Sequence, residues 1–381
     1  MNFEPTDEQA QLQDSVRRLL ADHGRFEQRR AAAATADGFQ RSLWRHLAEL
    51  GVTALCVDEA HGGFGGGAVD RLPVLQACGH ALLLEPVLSS SVLGATAVQL
   101  AGDAAAKARL LAPAAAGRLL LAWAHDEADA RHAPCWVATQ ATQHAGQWTL
   151  TGRKRHVLHG QSADHLVVTA RTDGAPDAEA GIALFVVDAQ AAGQQRRGYR
   201  LVDDTPAAEL VLDGVAAQPL GDPRDDARAR VALQGTLDAG LAAVCADMLG
   251  AMELAFELAV EYLNTRQQFG RLIGQNQALR HKAAEMQVGL EMSRSMAMAA
   301  AIAADRPDAS ESAADLLRAK LVIGRHARQL CQNAVQIHGG IGMTEEYAVG
   351  HALRRIHVLD QLFGDSAAQA ARLADAWAVR M

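Results

Sequence analysis

The chain has 381 residues, of which 49% are hydrophobic but only 4% aromatic, and it carries a net charge of −8. That length allows two or three domains around a large core, and abundant alanine with few aromatic residues favours packed helices over an all-β sandwich. The acidic balance, without any long basic run, argues against nucleic acid or an anionic membrane surface as the main partner.

The first residues lack a basic segment followed by an apolar one, and no run of about 18 consecutive apolar residues marks a spanning helix. The expectation is a mature, soluble, cytoplasmic protein with no membrane partner. From Thr6 onward Leu12, Val16, Leu19 and Leu20 recur at helical spacing, with Asp7 and Glu8 at the positive end of the helix dipole. A second amphipathic helix carries Leu43, Trp44, Leu47 and Leu50 and ends at Gly51. The glycine-rich stretch at 61–67 lacks the Lys-Ser/Thr of a phosphate loop, and it reads as a turn between helices. Apolar helical runs follow through Leu75, 82–84, 92–98 and 110–111, broken by Pro86 and Pro113.

At 119 the period changes. Short β-prone runs lie at 120–123, 136–138, 148–150, 165–168, 182–187 and 210–212, separated by turn-rich polar segments. A charged linker then leads into helices that hold Leu237, Leu241, Leu249, Leu254 and Leu258, followed by Met286, Leu290, Met292, Met296 and Met298, the methionines serving as deformable core filler. The domain assignment is therefore 1–118 helical, 119–222 β and 223–381 helical. The five cysteines, Cys56, Cys78, Cys135, Cys245 and Cys331, show no CxxC pair and no metal-ligand spacing with histidine, which suits buried thiols in a reducing compartment and no metal site.

Two segments carry the functional signal. Arg266-Gln267-Gln268-Phe269-Gly270, followed by Asn276-Gln277, sits in an alternation of helical period, and Gln336-Ile337-His338-Gly339-Gly340 lies far downstream. Arginine offers a planar charged fork for a pyrophosphate, phenylalanine a flat face for a ring, and paired glycines a close backbone approach.

In these motifs and their separations the chain resembles the acyl-CoA dehydrogenase family, and the order helix, β, helix extends the resemblance over essentially the whole length. The fold it implies is mostly α with a central β domain: an N-terminal helical domain, an antiparallel, barrel-like middle domain and a C-terminal four-helix bundle. It further implies FAD as cofactor, with Arg266, Phe269, Gln277, Gln336, Gly339 and Gly340 reaching the FAD of a neighbouring subunit, and the Gly-Gly turn heading a late helix. The activity implied is α,β-dehydrogenation of an acyl-CoA to the 2-enoyl-CoA, with electrons passed to an electron-transfer flavoprotein. The assembly implied is a homodimer or homotetramer, or a heterotetramer with a second subunit of the same kind.

This chain departs from the family where the chemistry needs a carboxylate. A thioester α-proton calls for a base whose pKa is raised in a dry site, yet the family's two positions for that glutamate fall on Phe363 and Gly240. Asp365 is the better substitute; Asp238, two residues from Gly240 on a helix, is rotated by about 200°. The family's loops for the subunit's own flavin correspond to 124–129 and 156–160, where His156 or His159 either meets a flavin edge or is solvated. Two alternatives follow: a non-catalytic partner subunit of a heteromeric dehydrogenase, or a flavin monooxygenase or oxidase on the same fold.

Overall fold

The structure is a computed structural model that describes residues 6–307 and 311–378. In chain order its elements are α1 (Asp7–His23), α2 (Phe26–Ala33), α3 (Arg41–Glu49), α4 (Ala68–His80), α5 (Ala95–Ala101), α6 (Ala104–Ala115), β1 (Leu121–Ala124), β2 (Gln140–His144), β3 (Gln147–Leu158), β4 (His165–Arg171), β5 (Ile182–Asp188), β6 (Gln194–Arg200), β7 (Pro206–Pro219), α7 (Asp226–Thr265), β8 (Gln267–Gln268), β9 (Arg271–Leu272), α8 (Gln277–Asp305), α9 (Ser312–His338), α10 (Ala348–Gln361) and α11 (Ser366–Ala378). They form two compact units. One comprises the residues up to Arg30, Ala68–Leu83 and those from Leu241 onward; the other comprises Ala31–Gly67 and Leu84–Gly240. The N-terminal helices are thus divided between the units.

In the first unit, α1 starts where Thr6 and Gln9 form a reciprocal capping box, the Gln9 amide donating to Thr6 Oγ1 at 3.3 Å and the Thr6 amide to Gln9 Oε1 at 2.9 Å. Asp305, at the end of α8, receives the amides of Ala68 and Val69 at 2.6 and 3.0 Å and so caps α4. Helices α4 and α7 approach so closely that a Cβ on Gly250 would lie 1.9 Å from the Gln76 carbonyl. Asp247 on α7 holds Arg355 on α10 through two contacts, of 3.1 and 2.5 Å.

Helix α7 contains an 18-residue window of mean hydropathy 1.5, long and apolar enough to cross a bilayer, which corrects the reading that no such stretch exists. Since 89% of that window is buried inside the protein, it is a core helix. The interspersed small residues that hide it from a count of consecutive apolar residues are what allow neighbouring helices to pack against it.

The second unit contains the sheet. Its ladder runs β1-β4-β2-β3-β7-β5, and a further pairing of β5 with β4 closes the ring, with β6 attached to β7. All pairings are antiparallel except β1 and β2 with β4. Leu150, Val157, Leu166, Val168, Phe185, Val187, Leu210 and Val215 fill the interior. Each such side chain contributes roughly 1.5–3 kcal/mol of burial.

Strands β2 and β6 are almost wholly polar, and hydrophobic alternation does not find them; they form because β3 and β7 offer free backbone edges. The run at 136–138, read as a strand, is instead a loop. Val137 is buried there, and the segment is held by Arg171, itself fully buried, whose guanidinium donates to the carbonyls of Val137, Cys135, Asp173, Pro176, Ala178 and Ala180 at 2.7–3.4 Å. Two loops without a ladder of their own thereby satisfy their backbone.

Candidate active site

The Arg266 segment is not helical. Helix α7 stops at Thr265, and Gln267 pairs with Leu272 and Gln268 with Arg271 around a two-residue tip, Phe269-Gly270. Both tip residues have positive φ, +53° and +77°, the geometry of a tight hairpin turn whose twist matches its strands. The glycine makes that turn possible and ends the helical alternation the sequence suggested. For a phenylalanine the left-handed conformation costs about 1–2 kcal/mol, and here the ring is fully exposed. The strained, unburied ring is thus available to another molecule. Behind the hairpin, Arg271 Nη2 donates to Asn276 Oδ1 at 2.7 Å and Asn276 Nδ2 to the Ile273 carbonyl at 2.9 Å. Asn276 therefore braces the hairpin instead of capping α8, and Gln277 opens that helix exposed.

The diglycine closes α9 and opens a single 3-10 helical turn, Gly339–Met343: α9 ends at His338, and Gly339 turns the chain at φ +63°, ψ −134°, a region closed to side-chain-bearing residues. A Cβ on Gly339 or Gly340 would meet nothing within 4 Å, so glycine here leaves bare backbone facing open space. His338 is buried. Its Nδ1–H donates to the Ala334 carbonyl at 2.8 Å, its Nε2 accepts from the Tyr347 hydroxyl at 3.2 Å, and its ring stacks on Tyr262 with centroids 4.5 Å apart. Burial holds its pKa below the usual histidine value, so the ring is neutral. Tyr262 lies one turn before Arg266, whose amide donates to its carbonyl at 2.9 Å. The stack thus ties the two motifs together, a link that nothing in their separate sequences signals.

The turn between α10 and α11 holds the position expected for a base. Phe363 has φ +61° and Gly364 +94°. Gln369 Nε2 donates to both their carbonyls, at 2.8 and 3.0 Å, and the buried Lys320 donates to the carbonyls of Asp360 and Gly364 at 2.7 and 3.0 Å. Burial lowers the Lys320 pKa, opposed by Asp360, whose carboxylate also takes Arg328 at 2.5 Å and the Ser366 hydroxyl at 3.1 Å. Asp365 accepts the amides of Ala367 and Ala368 at 3.1 and 2.8 Å and caps α11. Its carboxylate therefore has a structural task. In the other unit, Asp238 takes the Gln234 amide at 2.8 Å, one helical turn away.

The β unit holds a buried polar cluster that sequence reasoning missed. Lys154 Nζ donates to Glu127 Oε1 at 2.7 Å, the His125 carbonyl at 3.1 Å and Thr169 Oγ1 at 3.2 Å. Glu127 also receives the Ala138 and Thr139 amides and the Thr139 hydroxyl at 2.8–3.0 Å. His125, stacked on Trp123 at 5.6 Å, has its pKa pushed down to about 4, chiefly by burial. The signal was present: Lys154 shares strand parity with the buried Leu150. His159 is not solvated. It is buried at φ +54°, its Nδ1 2.9 Å from Ser89 Oγ and its Nε2 2.8 Å from the Leu84 carbonyl, which leaves neither nitrogen for a flavin edge. His156, exposed at φ +51°, lies at a bulge between Lys154 and Val157.

Family models for the acyl-CoA dehydrogenase N-terminal, middle and C-terminal domains match residues 6–118, 127–215 and 229–377. The chain belongs to the acyl-CoA dehydrogenase family. Benzylmalonyl-CoA dehydrogenase of Aromatoleum aromaticum is 30% identical, covering 93% of this chain and 94% of that protein. The probable acyl-CoA dehydrogenase YngJ of Bacillus subtilis is 28% identical over 98% of each chain. Among solved structures, a variant of the Tcur3481-Tcur3483 steroid ACAD superposes with a TM-score of 0.87 at 28% identity over 98% of each chain.

As an acyl-CoA dehydrogenase-type oxidoreductase the protein is a flavoprotein with FAD as cofactor, and the hairpin and diglycine fit that group. Among the described residues, Arg266, Gln277 and Gln336 are exposed and spend no side-chain hydrogen bond within the chain. Together with the bare Gly339-Gly340 backbone and the Phe269 ring, they offer a fixed positive charge, amides and a flat face, the donor set a flavin dinucleotide requires. The loops at 124–129 and 156–160 are spent on internal bonds instead, apart from the exposed Asp126, Ala128, Asp129 and His156.

Proposed function

We propose that the protein takes part in FAD-dependent α,β-dehydrogenation of an acyl-CoA thioester to the 2-enoyl-CoA, as the subunit that completes a neighbouring chain's cofactor site while an unlike partner supplies the base. The observation that carries this reading is the turn at 361–366. Phe363 stands where a carboxylate is needed, Gly240 cannot serve, and Asp365 is engaged as the cap of α11. When bound, FAD supplies the acceptor for the hydride that leaves Cβ. Arg266 would hold the pyrophosphate, Phe269 would cover a ring face, and Gln277, Gln336 and the Gly339-Gly340 backbone would donate to the remaining oxygens. The Lys320-Asp360 clamp would keep the Phe363 turn rigid, so that an apolar ring closes that side of the acyl site against water. A two-chain assembly is also how the name of the Tcur3481-Tcur3483 steroid ACAD describes that protein.

The test is the visible spectrum and FAD stoichiometry of the chain purified alone, followed by anaerobic addition of short, aromatic and polycyclic acyl-CoAs. Substoichiometric flavin without bleaching, restored by co-expression with a second dehydrogenase-like chain that carries the glutamate, is the expected outcome. Full flavin and bleaching by the chain alone would refute the partner-subunit reading and return the base to Asp365.

A further inference from the structure

The ring of strands has a second end, away from the loops at 124–129 and 156–160. Strand β3 starts there with Gln147 and Trp148 and reaches Leu158 only after 12 residues. At that end Trp148 pairs with Ala217, Val186 with Gln218 and His165 with Asp188. With Arg109 of α6 and Pro219 these pairs line a pocket of about 490 Å³, and the mouths of β-barrels are common ligand sites. The half-buried Trp148 leans on the buried Phe185, ring centroids 5.4 Å apart. His165 Nδ1 is buried and makes no hydrogen bond among the described residues. The Asp188 carboxylate lies 3.7 Å from it, too far for a hydrogen bond. One Asp188 oxygen takes the Gln190 amide at 2.7 Å, and the other is uncommitted among the described residues. Arg109 is exposed and makes no side-chain bond among the described residues. Burial lowers the His165 pKa, Asp188 opposes this and Arg109 reinforces it, so the ring is neutral and feels both charges. The other charges that act on the ring are engaged elsewhere: Asp164 takes the Leu120 amide at 2.8 Å, and Arg196 donates to the carbonyls of Gly160 and Ala163 at 3.0 and 2.9 Å.

A buried ring nitrogen without a partner is costly, and a ligand that supplies the missing bond removes that cost. The charges on the wall narrow the choice of ligand. A simple anion would gain Arg109 but meet Asp188, and a simple cation would gain Asp188 but meet Arg109. A purely apolar molecule would leave His165 Nδ1 unpaired. A zwitterion satisfies all three groups, and the indole of Trp148 with the aliphatic Val186 and Pro219 calls for a flat apolar group attached to it. We infer that this pocket binds a free aromatic α-amino acid, its ring against Trp148, its carboxylate on the Arg109 fork and its ammonium shared between Asp188 and Nδ1 of the neutral His165. The site is independent of the dehydrogenase chemistry proposed above and of the cofactor loops.

The test is isothermal titration calorimetry of the purified full chain with L-phenylalanine, with L-phenylalaninamide, which lacks the carboxylate, and with N-acetyl-L-phenylalanine, which lacks the ammonium. L-Phenylalanine should bind, and each derivative should bind about tenfold or more weakly, the loss expected for one charge-assisted hydrogen bond. R109A should weaken L-phenylalanine by a similar factor and leave the amide unaffected, whereas D188N should weaken L-phenylalanine and leave the N-acetyl derivative unaffected. Both side chains are exposed and asparagine keeps an acceptor for Gln190, so circular dichroism melts of the variants should match the wild type. No binding of L-phenylalanine up to about 10 mM, where even a millimolar site would be mostly filled, would overturn the site. Equal affinity for all three ligands, or unchanged L-phenylalanine affinity in R109A, would overturn it as well.

Discussion

Replacing Arg266 by alanine separates cofactor binding from folding. The side chain is exposed and makes no bond among the described residues, so its removal should change the stability of the FAD-free protein by no more than about 0.5 kcal/mol. A charge-assisted hydrogen bond to a pyrophosphate is worth about 1.5–3 kcal/mol, which corresponds to roughly 10- to 150-fold in Kd. At a free FAD concentration near 100 times the wild-type Kd, bound cofactor stabilises the fold by about 2.7 kcal/mol. A 30-fold loss of affinity would leave about 0.9 kcal/mol of that. The assay is FAD titration by calorimetry, paired with thermal unfolding in the presence and absence of FAD. The expected result is a gap of nearly 2 kcal/mol between wild type and R266A that exists only when FAD is present. R266K should recover part of it, since an ammonium keeps the charge but loses the fork. Equal FAD affinity in R266A would refute the placement of the cofactor at the hairpin, and an equal loss with and without FAD would show that the residue serves the fold.

Lys154→Met should destabilise the β unit by about 3 kcal/mol, the lower end for breaking a buried pair, because Glu127 keeps three donors from Ala138 and Thr139. Combining it with Glu127→Gln should cost less than the sum of the single changes, and strict additivity in denaturant titrations would contradict direct coupling. The folded pKa of His125, about 4, lies below its unfolded value near 6.5. Between these values the unfolded chain binds the proton more readily, so stability is full above pH 6.5 and falls as pH drops towards 4. His125→Gln should flatten that part of the stability profile, and an unchanged slope would count against a neutral buried ring. Gly339→Ala should lower FAD affinity and add about 1–3 kcal/mol of backbone strain, whereas Gly340→Ala should disturb FAD without the strain; circular dichroism melts tell the two apart.

The helices and most of the ring were legible because their apolar residues follow a single period. Val16 and Leu20 of α1, Leu43 and Leu47 of α3, and Phe185 of β5 are buried as their spacing requires. Strands β2 and β6 were not, since partner edges create them and their own residues do not. The shape of the Arg266 segment was not legible: Phe269-Gly270 adopts a turn conformation in which phenylalanine is costly, so local preference misleads there. Asp365 stood out by its nearness to a missing glutamate, whereas its capping bonds depend on the three-dimensional start of α11. The Lys154-Glu127 pair joins residues 27 apart, and only the closed ring brings them together.

Arg171 has one further consequence. Its guanidinium grips the loops at 135–137 and 173–180 by main-chain oxygens alone, and a carbonyl is the same whatever side chain sits beside it. The loops are therefore free to vary in composition without loosening, provided their backbone path is kept. The arginine is not free in return: lysine offers three donors from a single point and cannot span six acceptors. Variation among related chains should therefore concentrate in these loops and stop at position 171, and a graft of new loop sequence should hold wherever that one side chain is retained.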